Sequence, residues 1–125
     1  MEESTVSVEP LEEYNALRMI WGERPNNRDV RAAFADIIHY LDGAEGRVDI
    51  IVDIRTDPLF PLGATLTGAI APHSHRMMGT WLVVGGNTVA KFIGATLTSI
   101  GRNHIEWFDS EEAAIEYILM TRARA

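Results

Sequence analysis

The stretch Val48-Asp49-Ile50-Ile51-Val52-Asp53-Ile54-Arg55 constrains this chain more than any other. Side chains alternate along an extended strand, so Val48, Ile50, Val52 and Ile54 share one side. Asp49, Ile51, Asp53 and Arg55 fall on the other. β-branched residues at that density belong inside a sheet, with the all-aliphatic side packed against a second layer. The second side is half apolar, which predicts cover over only part of its length. Beyond Arg55 the chain enters Thr56-Asp57-Pro58-Leu59-Phe60-Pro61, where prolines without N–H donors end the ladder. A helix-like stretch follows, so the carboxyl end of this strand is the first place to look for function.

Weak alternation over 5–9 reads as an edge strand, and Pro10 suits an edge. Residues 15–21 read as a strand with Leu17, Met19 and Trp21 on one side and Arg18 on the other. Over 29–41, Val30, Phe34, Ile37, Ile38 and Leu41 make one stripe of an α-helix. Asn27 or Asp29 is placed to cap it, and Gly43 to end it in the left-handed conformation. Residues 62–71 form a second predicted helix, weakened by Gly63 and Gly68 and stopped by Pro72. Thr80-Trp81-Leu82-Val83-Val84 is apolar on both faces, as an interior strand is. The next helix, over 88–100, has the stripe Val89, Phe92, Ile93, Thr96/Leu97 and Ile100, with Gly101 at the C′ position. Residues 104–108 alternate Ile105 and Trp107 against His104 and Glu106. Asp109, as N-cap, and Glu112, as its capping-box partner, open a helix over 110–121 that buries Ala114, Ile115, Ile118 and Leu119. No internal repeat, low-complexity tract or linker stands out.

Strand–helix alternation from the second strand onward predicts a single α/β domain spanning 1–125, with a mainly parallel sheet of four to five strands. Helices are expected mainly on the aliphatic face. Arg18, Asp49, Asp53, His104 and Glu106 are assigned to the opposite face, with Ile20, Ile51 and part of the 81–84 run as its apolar spots. Residues 1–14 make the edge strand and an acidic segment (Glu2, Glu3, Glu9, Glu12, Glu13), and 122–125, with Arg122 and Arg124, a solvated tail. With no cysteine, disulfides, thiolate zinc sites and cysteine nucleophiles are excluded. A net charge of −7, with one lysine against ten arginines, argues against nucleic acid and anionic membrane surfaces, both of which select basic patches. No apolar run is long enough to span a bilayer, and the first residues do not resemble a signal peptide; a cytoplasmic location is expected.

Three segments in order resemble the STAS domain (sulphate transporter and anti-sigma-factor antagonist). They are the 48–54 strand, Leu82-Val83-Val84-Gly85-Gly86-Asn87 leading to Lys91-Phe92 and Ile100-Gly101, and Ile105-Glu106-Trp107-Phe108-Asp109-Ser110-Glu111-Glu112-Ala113. The resemblance implies a noncatalytic regulatory or signalling module that works by protein–protein contact or small-ligand binding, with a protein partner or a homodimer. It implies no catalytic residue, and no cofactor or metal is expected; charge and hydropathy, as above, argue against nucleic acid and membrane insertion. In antagonist members a hydroxyl at the start of the helix after the central strand is phosphorylated, within Asp-Ser-Ser/Thr-Gly. Here, with Gly63 matched to the motif's glycine, Leu62 holds the acceptor position, so the serine phospho-switch is not expected.

Residues 57–62 (Asp57, Pro58, Leu59, Phe60, Pro61, Leu62) instead form an apolar rim, read as the interaction surface. Gly85, Gly86, Asn87 and Thr88 are a candidate anion site, since free N–H groups and the dipole at a helix start attract anions; the same residues make an ordinary turn. The alternative function is a small enzyme or a metal- or phosphate-binding protein using Asp53, Asp57, His73 and His75 at the strand ends, with His104 a further candidate ligand. A loop reading of 73–76 and a turn reading of Asp57-Pro58 stand beside it. Trp21, Trp81 and Trp107 are expected in the core.

Overall fold

In the computed structural model, which describes residues 5–101 and 104–123, Val48–Asp53 is the third strand, β3, of a five-stranded sheet. The others are β1 (Val6–Leu11), β2 (Ala16–Trp21), β4 (Met78–Val84) and β5 (Ile105–Phe108), in the order β1-β2-β3-β4-β5. β1 is antiparallel to β2, across the short 3-10 turn Glu12–Tyr14, and every other neighbour is parallel. β1 carries Pro10 at the edge, where its missing N–H breaks no ladder bond with a further strand. Glu2, Glu3 and Arg124 lie outside the described residues.

Four helices connect or follow the strands: α1 (Asn27–Asp42), α2 (Leu62–Ser74), α3 (Thr88–Ile100) and α4 (Glu111–Ala123). α1, α2 and α3 cover the aliphatic face, where Leu17, Met19, Trp21, Ile50 and Ile54 meet Val30, Phe34, Ile37, Ala69, Ile93 and Leu97. α4 crosses the other face and encloses a smaller core of Ala16, Ile51, Leu82, Val84, Ala114 and Ile118. The expected one-sided helical layer is therefore three helices against one.

Local details depart from the sequence expectation in instructive ways. Asn26, not Asn27 or Asp29, caps α1: its Oδ1 accepts from the Asp29 N–H at 2.7 Å. Asp29 is itself an acceptor there, receiving the Thr5 N–H and hydroxyl at 2.8 and 2.9 Å. Ser110, not Asp109, caps α4, accepting from the Ala113 N–H at 3.1 Å, and Leu119 is exposed rather than buried. Gly43 ends α1 at φ −93°, outside the left-handed region, and Gly101 is extended. Gly101 is needed for a different reason: a Cβ there would stand 2.8 Å from Nε2 of His73. Pro72 does not stop α2, which runs two residues further, because near a helix end a missing N–H removes one bond rather than breaking an interior ladder.

The α3 stripe is rotated from the expected one. Ala90, Ile93, Gly94 and Leu97 are buried, whereas Val89, Phe92 and Ile100 are exposed. The chain also holds one short repeat, Gly-Ala-Thr-Leu-Thr at 63–67 and 94–98, whose copies bury different members: Ala64 and Thr65 in α2, Gly94 and Leu97 in α3.

Candidate functional site

The carboxyl ends of β2, β3 and β4 are knitted by three connecting loops. Ile54 continues the ladder by donating to Val84, and the Asp57 N–H returns to the Ile54 carbonyl, closing a turn that leaves Asp57 at φ 57°. Thr56 donates its hydroxyl to the Trp21 carbonyl at 2.8 Å, and Leu59 its N–H to Glu23 at 2.9 Å. Asn87 caps α3 through Oδ1, which accepts from Ala90 at 2.8 Å, while its amide nitrogen donates to Asp57 Oδ1 at 2.8 Å and to the Pro58 carbonyl. One asparagine thus ends a helix and braces the neighbouring loop.

Within the predicted 57–62 rim the residues separate. Pro58 is buried, and Phe60 is half-buried edge-on against Trp21, ring centroids 4.9 Å apart. Leu59 is 70% exposed and Leu62 43%. Asn87 ties the start of α3 to the 57–58 loop, and α3 itself leaves Val89 and Phe92 (56%) exposed. Sequence reasoning missed these two by assigning them to the core. The available signal was that α3, with Lys91 its one charged residue, has more apolar positions than a single buried stripe holds.

In the predicted anion loop part of the hydrogen-bonding capacity is engaged by the fold. The Gly85 N–H, at φ 98°, donates to Phe108 at 3.0 Å, and the side chain of Asn87 takes up the α3 cap. Asp57 adds a carboxylate beside it.

The Asp53, Asp57, His73 and His75 constellation is not brought together. Asp53 is gripped by Arg55 through two side-chain bonds, at 3.0 and 2.7 Å, which hold its carboxyl below the usual range, and Asp57 turns to Asn87 instead. His73 and His75 precede β4, whose Met78 pairs with Val48, whereas Asp53 pairs with Val84. The two groups are therefore separated by the length of β3, about 3.3 Å per residue over six residues. His75 bonds Asp42 at 2.8 Å and accepts the Met77 N–H. His73 is a core residue: Trp81 donates its indole N–H to Nδ1 at 3.0 Å. Burial lowers the His73 pKa, opposed by a hydrogen bond with the Leu97 backbone. His104 stands at the start of β5, also at the amino end, where its carbonyl accepts from Trp81. Among the described residues no three His, Asp or Glu side chains converge as a metal ion would require, and no helix is long and apolar enough to cross a membrane.

Between the sheet and α2/α3 lies a cavity of about 70 Å³. Trp21, Val52, Phe60, Val83, Ile93 and Trp107 are among its walls. Val52, in the middle of the central strand, is only half-buried because its side chain borders this space. Trp107, expected in the core, is 39% exposed on edge strand β5. Compared with protein-family models, curated proteins and solved structures, the chain gives no match.

Proposed function

We propose that this chain is a noncatalytic regulatory module of STAS-like type that docks a protein partner, or a second copy of itself, through its apolar rim without a serine phospho-switch. The observation that carries the reading is the projection of Leu59, 70% exposed, from a loop fixed on both sides by backbone and side-chain bonds. A braced apolar projection loses little conformational freedom on docking, which is where interfaces gain affinity. The STAS-like part of the reading rests on the resemblance carried by 48–54, 82–101 and 105–113. The candidate hydroxyls have other work: Thr65 is buried and donates to Pro61 at 2.8 Å, Thr56 donates to Trp21, and Thr67 to Gly63.

The enzyme alternative needs Asp53 and Asp57 to act with His73 and His75, which lie at the other end of β3. The test compares Leu59→Asp, Phe92→Asp and Thr65→Ala by sedimentation equilibrium and by co-purification from the native cells. Loss of self-association or of a partner in the two aspartate variants, with Thr65→Ala unaffected, is expected. Phosphate on Thr56, Thr65 or Thr67 with binding that depends on it would refute the reading. So would a large thermal stabilisation by Mg²⁺ or nucleotide that Asp53→Asn abolishes.

A further inference from the structure

The cavity between the sheet and α2/α3 is bordered by apolar atoms, and no charged side chain lines it. The Thr65 hydroxyl and the Trp81 N–H are engaged elsewhere, with Pro61 and His73. A buried water needs about two to four polar partners, so water is a poor occupant of such a space. At about 10–15 Å³ for each water-sized group, 70 Å³ takes roughly five to seven methylene-sized groups. The wall reaches solvent at Trp107, its most exposed member, on edge strand β5. Gly94 lets the indole lie against α3, since a Cβ there would stand 3.0 Å from Cζ2. The same ring borders Gly86, where a Cβ would stand 3.7 Å from the ring and 3.8 Å from Cε of Lys91. The chain's one lysine thus ends beside Trp107. It is exposed, and its ammonium has no hydrogen bond or ion pair among the described residues. Glu106, next to Trp107 in the strand, pairs with Leu82 of the α4-side core and so faces the other way.

We propose that this cavity binds the tail of a short aliphatic carboxylate, whose head stays outside the mouth, past Trp107, and pairs with Lys91. The tail supplies the affinity, each methylene taken from water tightening binding about three- to fourfold. Lys91 supplies the choice of head group, contributing up to about fivefold as an exposed ion pair does, and less at high salt. The carboxylate remains at the mouth because inside it would be buried with no counter-charge. With a net charge of −7 the chain as a whole repels anions, so a preference for a carboxylate head has to arise locally. The assignment goes beyond the docking function and does not depend on it.

The experiment titrates the full chain with hexanoate, butanoate, hexanol and hexylammonium, which vary tail length and head charge separately. The readouts are the indole resonance of Trp107, assigned by Trp107→Phe, and the methyl resonances of Val52 and Val83 in the wall. Hexanoate is expected to shift all three saturably, with butanoate about tenfold weaker, hexanol several-fold weaker and hexylammonium weakest. Lys91→Gln should bring hexanoate down to the level of hexanol and leave hexanol unchanged. Val52→Met, which fills the space with a flexible side chain, should weaken both. Lys91→Gln alters only an exposed side chain, and keeps the test available if Val52→Met does not fold. No saturable shift with hexanoate, butanoate as tight as hexanoate, hexanol or hexylammonium as tight as hexanoate, or undiminished hexanoate binding in either variant would each overturn the proposal. Leu59→Asp should leave the titration unchanged, so failure of the docking function and failure of this site are read separately.

Discussion

Ile50 and Ile51 are neighbours in β3 and both are fully buried, yet they belong to different structures. Ile50 faces a layer of three helices, within a cluster that draws on every strand. Ile51 faces α4 and a small core island bounded by charges. Arg18 pairs with Glu9 and Glu111, and Arg122 reaches Asp49 at 3.3 Å and the Asn15 carbonyl at 3.0 Å. One face is held by shape and area; the other by an apolar patch plus polar ties around it. The hydrophobic term scales with area removed from water, whereas exposed ion pairs contribute about 0–1 kcal/mol each and are screened by salt. The α4 face should therefore be the first to open and the more sensitive to solution conditions.

The largest effect is expected from Ile50→Ala, at about 2–5 kcal/mol by denaturant unfolding. Val52→Ala should cost clearly less, because Val52 already borders open space. Equal losses at 50 and 52 would mean that the cavity collapses in solution. Asp49→Ala comes next. Alternation alone makes Asp49 a surface residue of little consequence, but its Oδ1 accepts the Thr80 N–H at 2.8 Å where the β3–β4 register shifts. Gly79 permits this, since a Cβ there would lie 2.2 Å from that oxygen. Removing the acceptor leaves a half-buried N–H unpaired, which costs about 1–3 kcal/mol. A change within roughly ±0.5 kcal/mol, the range of ordinary surface substitutions, would return Asp49 to the surface class.

His73 adds a pH dependence to the three-helix face. Its folded pKa is lowered from 6.5 by burial. Above 6.5 neither state binds the proton; as pH falls below 6.5 the unfolded chain takes it up and the folded one does not. Stability should therefore drop between about pH 6.5 and the lower folded pKa, and His73→Gln should flatten that limb in urea melts across pH 7 to 5. An identical slope in the variant would remove His73 from the account. Asp29 and Asp53 act in the opposite window. Their pKa values are held below 3.8, by the bonds from Thr5 and from Arg55 respectively, so the stability they contribute is lost only as pH falls through those lower values.

The smallest effect is expected on the polar face. Arg18→Ala should cost at most about 1 kcal/mol at low salt and less at high salt. Its clearest readout is hydrogen exchange, with α4 amides losing protection while those of α1 do not. Loss of protection in both helices alike would mean that the two faces unfold as one unit.

Much of this organisation was determined by the sequence alone. Alternation in 48–54 chose the buried side of the central strand, and the 3.6-residue period set α1 and the bounds of α3. Both are local rules, in which each residue's orientation follows from its neighbours in the chain. Tertiary structure decided what local rules cannot reach. Val89 and Phe92 are exposed because α3 turns Gly94 toward Trp107 on β5, where a Cβ would stand 3.0 Å from the indole. His73 is a core residue because Trp81, eight positions on, points its N–H back at it, and it is kept from Asp53 by parallel pairing that puts them at opposite strand ends. The cavity, too, follows from how far α2 and α3 stand from β3 and β4, a distance set by side chains from four strands and three helices at once and written in no single segment.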